Sequence, residues 1–171
     1  MKKRILIAFI SLFLLQVSGN TQEKAKKERR SALATLFADN GISAIKVADN
    51  IDLVLIQGNK EDVSVKMPEN TFRKLNLAVD GETLSVSAKK KFANERIRVF
   101  ITISNLRELV LYDDAFATTK GKLSMQNLEV KIHDSGRLQL GSTGRVVVDT
   151  PDNYQVLKES EYVLAHAITG T

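Results

Sequence analysis

The segment Leu109-Val110-Leu111-Tyr112-Asp113-Asp114-Ala115-Phe116 returns 21 residues later as Val130-Lys131-Ile132-His133-Asp134-Ser135-Gly136-Arg137. Leu109 matches Val130, Leu111 matches Ile132 and Asp113 matches Asp134. A period of this size belongs to a repeat in which each coil covers the next, because a unit so short cannot bury its own apolar face. Downstream, Leu138/Leu140, Gly141-Ser142-Thr143-Gly144 and Val146/Val148 continue as short strands divided by tight turns. The expectation is a right-handed β-helix-like solenoid, with a β-sandwich as the alternative.

Alternation of apolar and polar residues carries the same message through the first half. Ile45/Val47, Ile51/Leu53/Leu55, Val63/Val65/Met67, Leu84/Val86 and Ile97/Val99/Ile101/Ile103 all repeat with period two, the signature of half-buried strands. Proline is confined to Pro68 and Pro151, so little interrupts them. Gln57-Gly58-Asn59-Lys60 is placed to link Ile51–Ile56 to Val63–Met67, and Asp80-Gly81 to link Leu75–Val79 to Leu84–Ser87. Asp-Gly between alternating runs marks a hairpin because glycine accepts positive φ. The first half is therefore expected to be a meander of hairpins, ending at an exposed turn built on Lys89-Lys90-Lys91.

Ahead of this all-β region, Lys2, Lys3 and Arg4 precede an apolar run from Ile5 to Leu15, and Val17-Ser18-Gly19 supplies small residues for cleavage. That is the pattern of a secretory signal peptide; the run is shorter than the roughly 20 residues a transmembrane helix needs. The expected organisation is a signal peptide at 1–19, a charged leader or short helix at 20–36, and one all-β domain at 37–171. Glu23 to Ala38 is the one helical stretch, with Ala32, Leu33, Leu36 and Phe37 as its weak apolar stripe. Export to the periplasm, the outer surface or the medium follows, with no stable membrane span after cleavage. The absence of cysteine excludes both a lipid-modified N-terminal Cys and a disulfide framework.

Formal charge is +5, from 25 Lys and Arg against 20 Asp and Glu. Loss of Lys2, Lys3 and Arg4 leaves the mature chain at +2, and the leader Asn20 to Arg30 itself carries +3. The rest is close to neutral, so the basic excess belongs to the leader and gives no nucleic-acid surface.

These strands and turns together resemble the secreted, autotransporter-adhesin-like family with a head GIN domain. The resemblance runs through Ile45-Lys46-Val47, Asp49 to Gly58, Val63-Ser64-Val65, Pro68-Glu69-Asn70 and Val79 to Val86. It continues through Val99-Phe100-Ile101-Thr102, Leu106 and Leu109 into the repeated turns, covering roughly Phe37 onward. It implies an all-β domain with β-helix-like coils and an adhesin-like role. Two departures stand out. Where family members often have Ser-Gly-Ala-Ser at the coil turns, this chain has Asp113-Asp114-Ala115-Phe116 and Asp134-Ser135-Gly136-Arg137. The chain also ends early for the pattern, which implies missing or degenerate last coils.

Catalytic patterns are scarce. The chain has no Gly-x-Ser-x-Gly elbow, phosphate-binding glycine loop or His-Glu-x-x-His pair. Its two histidines, His133 in a turn and His166 in a terminal strand, have no matching partners in sequence. The one acidic constellation is Asp113, Asp114 and Asp134. Stacked coils would bring Asp113 and Asp134 to about 5 Å, the spacing of neighbouring strands. A hard cation such as Ca²⁺ suits an oxygen cluster of this kind, and aspartate also suits such turns by bonding nearby backbone N–H groups. Asp49 and Asp52 read as outward strand or turn residues.

The sequence is thus expected to encode a non-enzymatic binding module that displays a solenoid surface to a surface glycan or an envelope protein. The alternatives are a calcium-assisted polysaccharide lyase using the acidic turns, or an envelope scaffold pairing through a sheet edge.

Overall fold

The computed structural model describes residues 41–59, 64–66, 69–159 and 162–167. The signal peptide, the leader and the helix expected at Glu23 to Ala38 lie outside the described residues. The described residues fall within a unit spanning Phe37–Thr171.

In chain order the strands are β1 (Ala44–Val47), β2 (Ile51–Gln57), β3 (Ser64–Lys66), β4 (Leu75–Asp80), β5 (Thr83–Ala88), β6 (Ile97–Ile103) and β7 (Glu108–Leu111). Then come β8 (Phe116–Leu123), β9 (Asn127–Ile132), β10 (Arg137–Ser142), β11 (Arg145–Asp149), β12 (Tyr154–Glu159) and β13 (Tyr162–Ala167). The helical pieces among the described residues are one short turn, α1 (Glu69–Phe72), and a 3₁₀ turn at Lys90–Phe92. That 3₁₀ turn occupies the exposed Lys89-Lys90-Lys91 segment. None of the helices among the described residues is long and apolar enough to cross a membrane.

The alternation seen in the sequence becomes alternating burial. Along β6, Ile97, Val99, Ile101 and Ile103 are buried while Arg98, Phe100 and Thr102 face outward. Two mixed sheets result. The first has the order β11-β9-β7-β1-β5-β4 and the second β12-β13-β10-β8-β2-β6-β3. Their inner faces meet in a core built from Ile45, Leu84, Leu109 and Val130 on one side and Leu53, Ile101, Ala117 and Leu138 on the other. Each larger aliphatic buried in this way stabilises the fold by about 1.5–3 kcal/mol.

Parallel pairing dominates the middle of both sheets, and successive strands alternate between them from β1 to β2 and again from β5 to β11. β1, β5, β7 and β9 lie side by side in the first sheet, and β2, β6, β8 and β10, their successors in the chain, in the second. The offset of 21 residues is the register itself: Leu109 pairs with Val130 and Leu111 with Ile132 in one sheet, and Phe116 with Arg137 in the other. A bulge between Gln139 and Gly141 then changes the β8–β10 register. There a Cβ on Gly141 would stand 2.9 Å from Gly121 O, so the bulge requires glycine.

The expected meander of hairpins is corrected in part. β4 and β5 do form a hairpin, with Asp80 opposite Thr83 and Gly81 at φ 55. The runs before and after Gly58 do not pair with each other: β6 lies between β2 and β3, parallel to the first and antiparallel to the second. The physical reason is that β2 is apolar enough to be a central strand, flanked on both edges, whereas the short β3 serves at an edge. β1 and β2 likewise belong to opposite sheets.

Candidate functional site

The turns from β1 to β2, β7 to β8 and β9 to β10 lie at one corner, where the chain passes from the first sheet to the second. At each, the last inward strand residue (Val47, Leu111 or Ile132) is followed by one linking residue and then an aspartate. Asp49, Asp113 and Asp134 have φ of 62, 53 and 54°, and they are the non-glycine residues in the left-handed region among those described. Aspartate tolerates that conformation better than most residues because its short side chain bonds locally.

Here the bonds reach between turns. The Ala88 N–H donates to Asp49 Oδ2 at 2.9 Å, the Asp49 N–H to Asp113 Oδ2 at 3.1 Å, and the Asp113 N–H to Asp134 Oδ2 at 3.4 Å. The carboxylates therefore form a ladder, each holding the backbone of the neighbouring turn. Sequence reasoning singled out Asp113, Asp114 and Asp134; the structure brings Asp113 and Asp134 onto adjacent turns and leaves Asp114 exposed. It missed Asp49 as a member of this set, whose signal was the shared spacing of two residues after the last buried strand position. That spacing was obscured because 64 residues separate Asp49 from Asp113.

Aromatic and basic side chains surround the ladder. Tyr112 and His133, again 21 residues apart, stack with centroids 4.8 Å apart and planes 8° from parallel. Arg137 lies over the Phe116 ring at 5.4 Å, and Asp52, one strand further on, accepts from Arg96 at 2.7 Å and faces Arg98 at 3.6 Å. Beneath the corner, the buried Tyr154 hydroxyl lies 2.8 Å from both Asp134 O and Gly136 O and donates to that pair of carbonyls. Burial, and then the charge of Asp134, push its phenol pKa up.

His166 lies apart from the corner, exposed on β13 opposite Gln155. Among the described residues, no group of three or more His, Cys, Asp or Glu is arranged to hold a metal ion. What the corner does chemically is bind its own backbone, leaving Tyr112, His133, Arg137 and Asp114 presented outward.

Residues 42–153 match the family described as "Putative auto-transporter adhesin, head GIN domain". Among solved structures, a "putative adhesin" from Parabacteroides distasonis is similar at 18% identity and TM-score 0.46, over 64% of this chain and 52% of that one. Another from Bacteroides fragilis is similar at 19% identity and TM-score 0.44, over 63% and 56%. The chain thus spans about half the length of those two proteins. No curated protein matches the sequence.

Proposed function

Because the chain belongs to the head GIN domain family of auto-transporter adhesins, we propose that it is an exported, non-enzymatic binding module whose strands wind as a right-handed β-solenoid. The winding is supported by the strict alternation of β1/β2, β5/β6, β7/β8 and β9/β10 between two sheets, each strand lying parallel to its counterparts. The crossovers β5→β7, β7→β9 and β9→β11 all step the same way along the first sheet and so share one hand, the right-handed one that parallel crossovers adopt, whereas β1→β5 steps the other way. Rows of identical positions then repeat along a rigid face, and weak contacts to a repetitive partner can add.

The observation that carries the binding reading is the ladder of Asp49, Asp113 and Asp134. An eliminative or hydrolytic site needs a base, a charge stabiliser and room for substrate between them. Here the acidic turns that would supply those groups accept backbone N–H donors, and their role is to fix the corner. The partner is a surface glycan or an envelope protein. A glycan array and an envelope pulldown with the mature protein test this, run beside turnover assays on acidic polysaccharides with and without Ca²⁺. Saturable binding without turnover is expected; product formation lost in a folded Asp113→Asn, Asp114→Asn, Asp134→Asn variant would place the protein among the lyases instead.

A further inference from the structure

The two outer faces differ in kind. On the first sheet, Lys131 donates to Glu108 at 2.7 Å and faces Glu129 at 3.3 Å, and these two acids raise its pKa. With Lys46 and Arg145 against Asp80 and Asp149, that face is balanced and slightly acidic.

The outer face of the second sheet is cationic and apolar. Register aligns Arg98, Asp52, Phe116 and Arg137 in one row across β6, β2, β8 and β10. The next row runs Phe100, Val54, Thr118, Gln139, Leu164 and Leu157. Arg96 stands at the margin, and Lys120 lies opposite Ile56 in the third row. Asp52 is the one acid among the described side chains of this face, against Arg96, Arg98, Arg137 and Lys120. At its far end the face leaves Leu157 42% and Tyr162 49% exposed, two of the four large exposed hydrophobics among the described residues.

We propose that this face, with Arg137 at its border with the aspartate corner, lies on an anionic phospholipid surface, leaving the first sheet and the Tyr112, His133 and Asp114 side of the corner turned toward other partners. Charge complementarity selects an anionic occupant. The exposed Leu157 then selects lipid over an acidic glycan, which has no use for an aliphatic side chain, whereas the exposed Tyr162 suits either. The Phe116 ring is already covered by the Arg137 guanidinium. A bilayer surface accepts both kinds of group, with Leu157 and Tyr162 entering the boundary between headgroups and acyl chains and the guanidinium groups reaching phosphates. The contact is peripheral and reversible. It adds to the binding-module reading above without replacing it.

The test is co-sedimentation of the mature chain with vesicles of phosphatidylcholine alone or mixed with phosphatidylglycerol. To remove the contribution of the basic leader, Lys24, Lys26, Lys27, Arg29 and Arg30 are changed to Gln in every sample. Binding is expected to the mixed vesicles only, and to weaken with salt. Arg98→Glu with Arg137→Glu should reduce partitioning by about 100-fold or more, given roughly fivefold per charge near an anionic surface. Leu157→Ser with Tyr162→Ser should reduce it at all salt concentrations, and Lys46→Glu with Arg145→Glu on the opposite face should leave it unchanged. Circular dichroism and melting establish that each variant is folded, and Arg98→Gln with Arg137→Gln replaces the reversal if that pair unfolds. Equal loss from both faces, or binding that ignores lipid charge, overturns the proposal. So does an arginine-dependent interaction with acidic polysaccharide in place of vesicles. A glycan or envelope partner retained without vesicle binding would overturn this proposal alone, whereas loss of every partner would overturn the binding module as well.

Discussion

Asp49, Asp113 and Asp134 each meet two demands at one position: a left-handed backbone, and an acceptor for the amide of the next turn. The two demands can be separated by substitution. Asp113→Asn keeps the local tolerance of positive φ and a carbonyl acceptor, so it should cost about 1 kcal/mol, the difference between a charged and a neutral acceptor. Asp113→Ala loses both and should cost about 2–3 kcal/mol. Asp113→Gly restores the backbone freedom without the bond and should fall between them. Chemical denaturation of the three variants tests that order; equal losses would mean that the ladder contributes nothing beyond φ. The same measurement with added Ca²⁺ tests a cation at Asp113, Asp114 and Asp134. No stabilisation of wild type is expected, and a saturable one abolished by the three Asn substitutions would assign the turns to a metal. Gly144 is more constrained still, since a Cβ there would overlap Met125 O.

At the level of elements, the sequence was most legible where a strand repeats itself without interruption. The 21-residue offset of Leu109 and Val130 survives as an adjacent pair because nothing is inserted between β7/β8 and β9/β10. Val130→Asp should then be severe, about 4 kcal/mol or more, since it places an unpaired charge where the native residue has no exposure. A melting temperature near that of wild type would show that the pair does not lie in the core. Where β3, α1 and β4 intervene, legibility fails: adjacency in sequence suggested that β2 and β3 pair, yet β6 returns from 40 residues later to separate them. Such a long-range preference lies in the summed apolar contacts of a central strand and leaves no mark on the turn residues. The aspartate corner was half legible for the same reason, Asp113 and Asp134 falling within the intact repeat and Asp49 before the interruption. A further tertiary tie, invisible in any local pattern, is Tyr154 reaching from β12 to the β9–β10 turn. Its phenol is raised chiefly by burial, so the folded chain keeps a proton that the unfolded chain releases near pH 10. Its contribution is complete below about pH 10 and is lost as pH climbs through the folded-state value. Tyr154→Phe should cost about 1 kcal/mol at neutral pH and flatten the alkaline decline; a decline unchanged in Tyr154→Phe would assign it to other groups.

Across the whole molecule, the unsolved problem of a stack of parallel strands is where it stops. A parallel edge presents a row of free N–H and C=O groups to the next chain that approaches. At one end antiparallel strands cover the stack, β4 in the first sheet and β3 in the second. At the other, β13 folds back antiparallel on β10, with Leu138 opposite Ala165 and Leu140 opposite Val163, and β12 pairs in turn with β13. In the first sheet the last strand is β11, and the Lys158 Nζ of β12 donates to Val146 O at 3.3 Å. The terminal hairpin thus closes one sheet and places a cation on the edge of the other, a device suited to keeping edges from pairing. It also buries Tyr154, Val163 and Ala165. A chain ending at Thr150 lacks both functions while retaining β1 to β11. It is expected to melt at lower temperature and to self-associate as concentration rises, because the freed edge of β10 joins the apolar end of the core as a template for another copy. Sedimentation velocity over a concentration series, with melting by circular dichroism, measures both effects. Lys158→Ala in the full chain should leave the second sheet closed and raise association modestly, through β11 alone. If the shortened chain stays monomeric and melts like wild type, the hairpin is an appendage and the stack holds its own end.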